Sequence, residues 1–339
     1  MLPDAADGTP GATARPREGA AEPQLTKPPA NVRGLVNEAL ASAPGSRLGP
    51  GRWVRREVHV TWRMTADNLL ANIPSPLMFV LGACFHLHLG ALQTAVHGGR
   101  IILLQTLYGY VFDASNQSRG ADEDRINKPH RPVPSGLITP GGARRRFWCV
   151  MPVYTLAGWE LGVLEWVLLF QAVTTFLNLL CPPRAYLWCK TPCMILSTVA
   201  QLAAAWQSVA PIDSTAGWWI LIIPVLFCLA LPFEDVRDMA GDRAVGRRTP
   251  VLVLGEWPLR IWFAGLLACI PFALHYALYL PTRAPGPRIL FCDMALAIAC
   301  WTPALRALLL RNTAADRLTY QLLITAYVIT MLTGPVLWY

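Results

Sequence analysis

"NQSRGADEDRINKPHRP", residues 116–132, is the most polar stretch in a chain whose residues are 54% hydrophobic. It follows directly on an apolar run and carries Asp122, Glu123, Asp124, Arg125, Lys128 and Arg131 in close succession. Charges gathered at the end of an apolar segment mark where a chain leaves lipid for water. The whole sequence agrees: only 15% of its 339 residues are charged, and the composition is that of an integral membrane protein rather than a soluble domain.

A helical span needs about 20 predominantly apolar residues to cross the hydrocarbon layer. Nine stretches qualify, over 67–89, 98–116, 143–159, 163–181, 187–208, 216–233, 257–280, 288–310 and 318–338. The expected fold is therefore all-α, an integral membrane bundle of nine transmembrane helices. The third and fourth spans are the weakest, because Glu160 and Glu165 interrupt the pattern where one ends and the other begins.

The formal charge of +8 has the sign expected for nucleic-acid binding, but its distribution obeys the positive-inside rule. With a cytoplasmic N-terminus, 26 of the 29 Lys and Arg fall on the cytoplasmic side, leaving Arg100, Arg283 and Arg288 opposite. That asymmetry supports span count and orientation together, and no nucleic-acid partner is expected. Residues 1–66 read as a disordered, basic cytosolic tail without a cleavable leader. It ends in "RWVRREVHVTWRM", 52–64, whose mixture of Arg, Trp and Val suits a lipid interface. Residues 67–339 form the transmembrane domain. The nine cysteines include no CxxC pair and read as packing residues, not as a zinc or disulfide framework.

A second polar loop, "EDVRDMAGDRAVGRRTP" over 234–250, also follows an even-numbered span and so shares the cytoplasmic side. Asp238 and Asp242 are spaced i,i+4 and share a face if the helix of span six continues, with Asp235 one turn earlier. In the first loop Asn116 and Asp124 stand eight residues apart, about two helical turns. Hard oxygen ligands of this kind suit Mg²⁺, which binds through one or two carboxylates together with substrate phosphate oxygens. Arg125, Lys128, Arg131, Arg237 and Arg243 lie among the acids, and cations interleaved with metal-binding acids fit a diphosphate. Solvated loops that merely obey the positive-inside rule would not need two acidic clusters at matching positions. A transporter would place its charges near the midplane, whereas these gather at the cytoplasmic ends of spans two and six.

The pairing of "NQSRGADEDRINKPHRP" with "DVRDMAGDRAVGRRTP" resembles the UbiA superfamily of intramembrane prenyltransferases, from about residue 66 onward. The resemblance implies nine helices around a central cavity, with a prenyl diphosphate held through Mg²⁺ by the two acidic motifs. It carries the metal-ligand role to Asn116, Asp124, Asp238 and Asp242, joined by Asp235. Prenyltransferases of the family read NDxxDxxxD in the first motif; here Gln117 and Gly120 replace two of the acids. That variant is similar to the fungal membrane terpene cyclases, which implies Mg²⁺-dependent ionisation and cyclisation of farnesyl or geranylgeranyl diphosphate. It also implies an endoplasmic reticulum membrane. Transfer of the prenyl group to an aromatic acceptor is the alternative within the fold. Tyr108, Tyr110, Trp148, Tyr154, Phe170, Phe176, Trp206 and Trp219 are candidates to face a carbocation, whose charge ring quadrupoles stabilise. Asn178, Gln201 and Gln207 read as interhelical hydrogen bonders, and Asp113 as a group that orients the first motif.

Overall fold

The computed structural model describes residues 49–339, so the expected disordered tail over 1–66 lies outside the described residues up to 48. Its last part is not disordered but helical from Pro50 to Thr65, where basic residues alternate with apolar ones, of which Val60 and Met64 pack inward. Among the described residues the chain is helical throughout, with no strand. Numbering only helices of seven residues or more, these are α1 (Pro50–Thr65), α2 (Pro74–His86), α3 (Ala91–Arg119), α4 (Ala121–Asn127), α5 (Pro140–Glu160) and α6 (Leu164–Thr175). They continue as α7 (Tyr186–Gln207), α8 (Ser214–Cys228), α9 (Glu234–Ala244), α10 (Glu256–Leu274), α11 (Pro287–Leu309) and α12 (Thr313–Trp338).

Helix starts follow local chemistry. Proline opens α1, α2, α5 and α11, where its missing N–H costs nothing. Thr139, Asp213 and Asn312 cap α5, α8 and α12, each accepting a hydrogen bond from a main-chain N–H in the first turn. Between the two weakest expected spans the chain turns through Leu161, Gly162 and Val163, with Gly162 at φ +67°, so Glu160 and Glu165 flank the turn.

Each of the nine expected spans coincides with a helical stretch, but length and hydropathy alone single out fewer of them. Among the described residues, the segments Ser214–Ala244, Glu256–Thr282, Pro287–Leu309 and Thr313–Trp338 are long and apolar enough to cross a membrane. The pair Pro50–Asn72 and Pro74–His86, bent by 44°, would make a fifth. The others fall short because they are brief or carry polar groups: α3 contains Arg100 and Asp113, α5 begins with Arg144 to Arg146, and α7 contains Lys190.

The helices close into a ring. α2 packs on α3, α3 on α5, and contact then passes through α6, α7, α8, α10, α11 and α12 back to α2. The outside of the ring is apolar, with Leu92, Trp188, Ile298 and Leu309 exposed, a surface suited to lipid and not to water. The α2–α12 seam is the tightest: a Cβ on Gly82 would lie 2.6 Å from the Trp338 ring, so only glycine admits the indole. Phe79, Trp206 and Trp219 surround that ring.

α1 belongs to this body, since Val60 and Met64 are fully buried. Its opposite side leaves Val54, Val58 and Trp62 exposed at i,i+4 spacing. The nine cysteines are all free.

Candidate active site

The two acidic motifs occupy two short helices that pack against each other, α4 and α9. Gly120 separates α3 from α4: its N–H donates to the Asn116 carbonyl (2.8 Å), and its own carbonyl accepts from the Asp124 N–H (2.9 Å). Within α4, Asp122 faces solvent and pairs with Arg125 at 2.6 Å, while Glu123 and Asp124 are buried. A 3₁₀ turn over Leu231–Phe233, containing Pro232, joins α8 to α9. The expected continuation of span six is thus real but stepped, and it buries Asp235, Asp238 and Asp242 together.

Asn127, at the end of α4, holds the two motifs in register. Its amide nitrogen donates to the Asp238 carbonyl (3.0 Å), and its amide oxygen accepts from the Gly241 N–H (3.2 Å). Gly241 permits this contact, because a Cβ there would lie 2.4 Å from the Asn127 amide nitrogen.

Every inward carboxylate meets a cation. Lys128 lies 3.1 Å from Asp238 and 3.5 Å from Glu234; Lys190, near the start of α7, lies 2.5 Å from Asp235 and 3.5 Å from Glu234. Arg131 donates to both Asp124 oxygens (3.1 and 3.3 Å) and is held from behind by Asp67 at 3.0 Å. Arg247 pairs with Glu123 and, at 3.1 Å, with Asp242, while its guanidinium lies over the Tyr186 ring. Burial works against the charge of Arg131, but Asp124, Asp113 and Asp67 outweigh it and raise its pKa. For Arg247 burial is likewise outweighed, by Tyr186, Glu123 and Asp242. Burial dominates at Glu123 and pushes its carboxyl above the usual range despite Arg247.

Of the ten residues expected at the site, Asn116, Asp124, Asp235, Asp238, Asp242, Lys128 and Arg131 line one cavity. Arg237 does not line it; it braces Glu234 (2.8 Å) and Asp238 (3.6 Å) from behind and lies over Tyr320. Arg125 and Arg243 are exposed outside the cavity, contrary to the expected diphosphate role. Each follows an inward acid by one residue, which on a helix turns it about 100° away. Lys190 and Arg247 line the cavity instead. Lys190 had a signal in the sequence, as a lysine at the border of an apolar span.

The oxygen-rich donor set fits a hard divalent cation. Asn116, Glu123, Asp124, Asp235, Asp238 and Asp242 all reach the cavity, and Asp235 Oδ2 is buried without a hydrogen-bond partner. Among the described residues, no three acidic, His or Cys side chains already form a metal cluster, because the cations stand between the acids.

Away from the acids the cavity is lined by Tyr108, Phe112, Phe227, Leu323 and Tyr327. Of the expected aromatics only Tyr108 lines it, stacked on Phe170 at 3.8 Å. Trp148 and Phe176 face outward, and Trp206 and Trp219 belong to the Trp338 cluster. The expected interhelical bonds form: Asn178 donates to Ser115 (2.8 Å), Gln201 to Gln105 (3.0 Å), and Gln207 Oε1 accepts from the Trp166 indole N–H on α6 (2.8 Å). Asp113 accepts from Asn68 (2.5 Å), and Asp293, for which the sequence offers no evident partner, pairs with His275 (2.8 Å).

The model of the UbiA prenyltransferase family matches residues 76–328. The somaliensene A/B synthase of Streptomyces somaliensis is 36% identical over 282 residues, covering 83% of this chain and 93% of that protein. The diterpene cyclase eriG of Hericium erinaceus is 36% identical over 202 residues, covering 54% of this chain and 66% of that protein. Among solved structures, a UbiA homolog from Archaeoglobus fulgidus bound to GPP and Mg²⁺ superposes with a TM-score of 0.57 at 14% identity. It covers 80% of this chain and 99% of that one, a likeness of fold.

Proposed function

The chain belongs to the UbiA prenyltransferase family, and from that premise we propose that it is a membrane-embedded, Mg²⁺-dependent terpene cyclase that ionises a linear prenyl diphosphate and cyclises the cation. The observation that carries this reading is the convergence of two acid–cation clusters on one cavity that aromatic rings also line. The likeness to two proteins named as a synthase and a cyclase supports it.

Asn116, Asp124, Asp235, Asp238 and Asp242 would hold the metal, which when bound neutralises diphosphate charge. Lys128, Arg131, Lys190 and Arg247 bind the diphosphate oxygens, each by exchanging a carboxylate partner for a phosphate one. The allylic C–O bond breaks, and its electron pair leaves with the diphosphate. The resulting cation stays among Tyr108, Phe112, Phe227 and Tyr327, whose ring faces stabilise it without capturing it. Ring closure consumes a double bond of the same chain, and loss of a proton restores neutrality. The rings and Leu323 packed around that position keep water from the cation until that point.

We place nine spans across the bilayer with both motifs and the N-terminus cytoplasmic, and residues 67–339 as the catalytic body. The Lys and Arg distribution supports the orientation. With a bacterial relative as similar as a fungal one, an endoplasmic reticulum site rests on the fungal resemblance alone.

The test is to incubate membranes carrying the protein with Mg²⁺ and geranyl, farnesyl or geranylgeranyl diphosphate, without acceptor, and to analyse the extract by gas chromatography and mass spectrometry. A cyclic product is expected, absent after chelation and absent for Asp124→Ala and Asp238→Ala. Product that forms only with an aromatic acceptor would make the enzyme a transferase. Full activity in both alanine variants would sink the site.

A further inference from the structure

The end of the cavity remote from the acids is closed by amides that belong to neither motif. Gln201 on α7 donates through its side-chain nitrogen to Gln105 Oε1 on α3 (3.0 Å) and to the main-chain carbonyl of Asn72 (3.2 Å). Gln201 and Asn72 line the cavity, while Gln105 lies behind them, 1% exposed. Asn72 is pressed onto α3: a Cβ on Gly109 would lie 2.6 Å from its amide nitrogen. The Gln105 amide nitrogen is itself buried and unpartnered, a cost that packing alone does not explain.

The cavity-lining positions of α7 run from Tyr186 and Lys190 through Met194 and Thr198 to Gln201 and stop there. Those of α3 run from Asn116 through Phe112 to Tyr108. Beyond this level Ile101, Leu104, Ala204 and Ala205 are packed solid. At a rise of about 1.5 Å per residue, the floor lies about 16 Å from Lys190 along α7, and Tyr108 about 12 Å from Asn116 along α3.

We propose that the Asn72–Gln105–Gln201 amide bridge is the floor of the substrate cavity and sets the longest prenyl chain the protein takes. This rests on the diphosphate being held at the acidic end, as proposed above. The floor is a specificity determinant because it resists in two ways. A chain one isoprene unit too long must displace Gln201, which breaks two buried hydrogen bonds, and it must then press its apolar end on amides that cannot solvate it. The bridge also ties α3, α7 and the Leu69–Asn72 turn together, so it does not yield by one side chain swinging away.

The experiment measures binding, so that it does not depend on turnover. Purified protein with Mg²⁺ is titrated with prenyl diphosphates of ten, fifteen, twenty and twenty-five carbons, and affinity is read from thermal stabilisation. Gln201→Ala should shift the affinity ratio toward the next longer chain by about tenfold or more. Thr198→Met, which fills the cavity one turn above the floor, should shift it by a similar factor toward the shorter chain. Ratios equal to wild type in a folded Gln201→Ala and in Thr198→Met overturn the floor. If Gln201→Ala does not fold, Thr198→Met decides alone. Product assays run in parallel separate the two readings: shifted binding without a cyclic product refutes cyclisation and keeps the floor.

Discussion

Placing a methyl group on Gly241 should uncouple the two motifs, and its cost can be worked from the contact with Asn127. The Cβ would lie 2.4 Å from Asn127 Nδ2 and 2.7 Å from its Cγ, too close to both for the asparagine to stay. Overpacking of this kind costs about 1–3 kcal/mol. Displacing Asn127 also forfeits its bonds to the Asp238 carbonyl and the Gly241 N–H, at about 1 kcal/mol each. Against this, alanine is about 1 kcal/mol better than glycine within a helix. Gly241→Ala should therefore destabilise by about 2–4 kcal/mol, and Asn127→Ala by about 2 kcal/mol. In the double variant the clash disappears while the helix gain remains, so only about 1 kcal/mol should be lost. The double variant is thus expected to be more stable than either single one. Thermal unfolding of the purified protein in detergent measures this directly, with turnover recorded alongside. Additive losses would refute the argument, since they would mean that Asn127 and Gly241 do not meet.

The remaining expectations concern the diphosphate cations and the ring seam. Lys190→Met and Arg247→Met should each raise KM for the prenyl diphosphate by about tenfold or more, the loss of one charge-assisted bond. Arg125→Ala and Arg243→Ala, whose side chains lie outside the cavity, should leave KM within a factor of two of wild type, and steady-state kinetics on the four variants checks the contrast. Gly82→Ala should lower stability by about 1–3 kcal/mol through its clash with the Trp338 ring, read as a fall in unfolding temperature.

The helices and the two acidic motifs could be read from sequence because hydropathy and charge run in long blocks. The nine expected stretches all prove helical, and Asp124, Asp235, Asp238 and Asp242 reach one cavity. What failed was helix phase. With Asp124 inward, the residue four positions on, Lys128, faces the site, while Arg125 turns away. The same step of one residue excludes Arg243, and the chain must leave α9 before Arg247 can return to Asp242. Aromatic residues were harder still: eight lie in the apolar spans considered, and only packing between helices separates Tyr108, on the cavity wall, from Trp148 facing lipid and Trp219 in the seam. No single span records which neighbour it will meet.

The seam between α2 and α12 has a consequence for how the molecule is made. Gly82 and the Trp338 ring it receives stand about 250 residues apart, and at a synthesis rate of about 5–20 residues per second α2 emerges about 12–50 s before the helix that completes its packing. During that interval the face carrying Phe79 and Ala83 must rest against lipid or an insertion factor. Tyr320, Leu323 and Tyr327 then bring the last wall of the cavity with them. The nascent protein therefore passes most of its synthesis as an open arc, unable to shelter a cation, and acquires its chemistry only when the arc is shut.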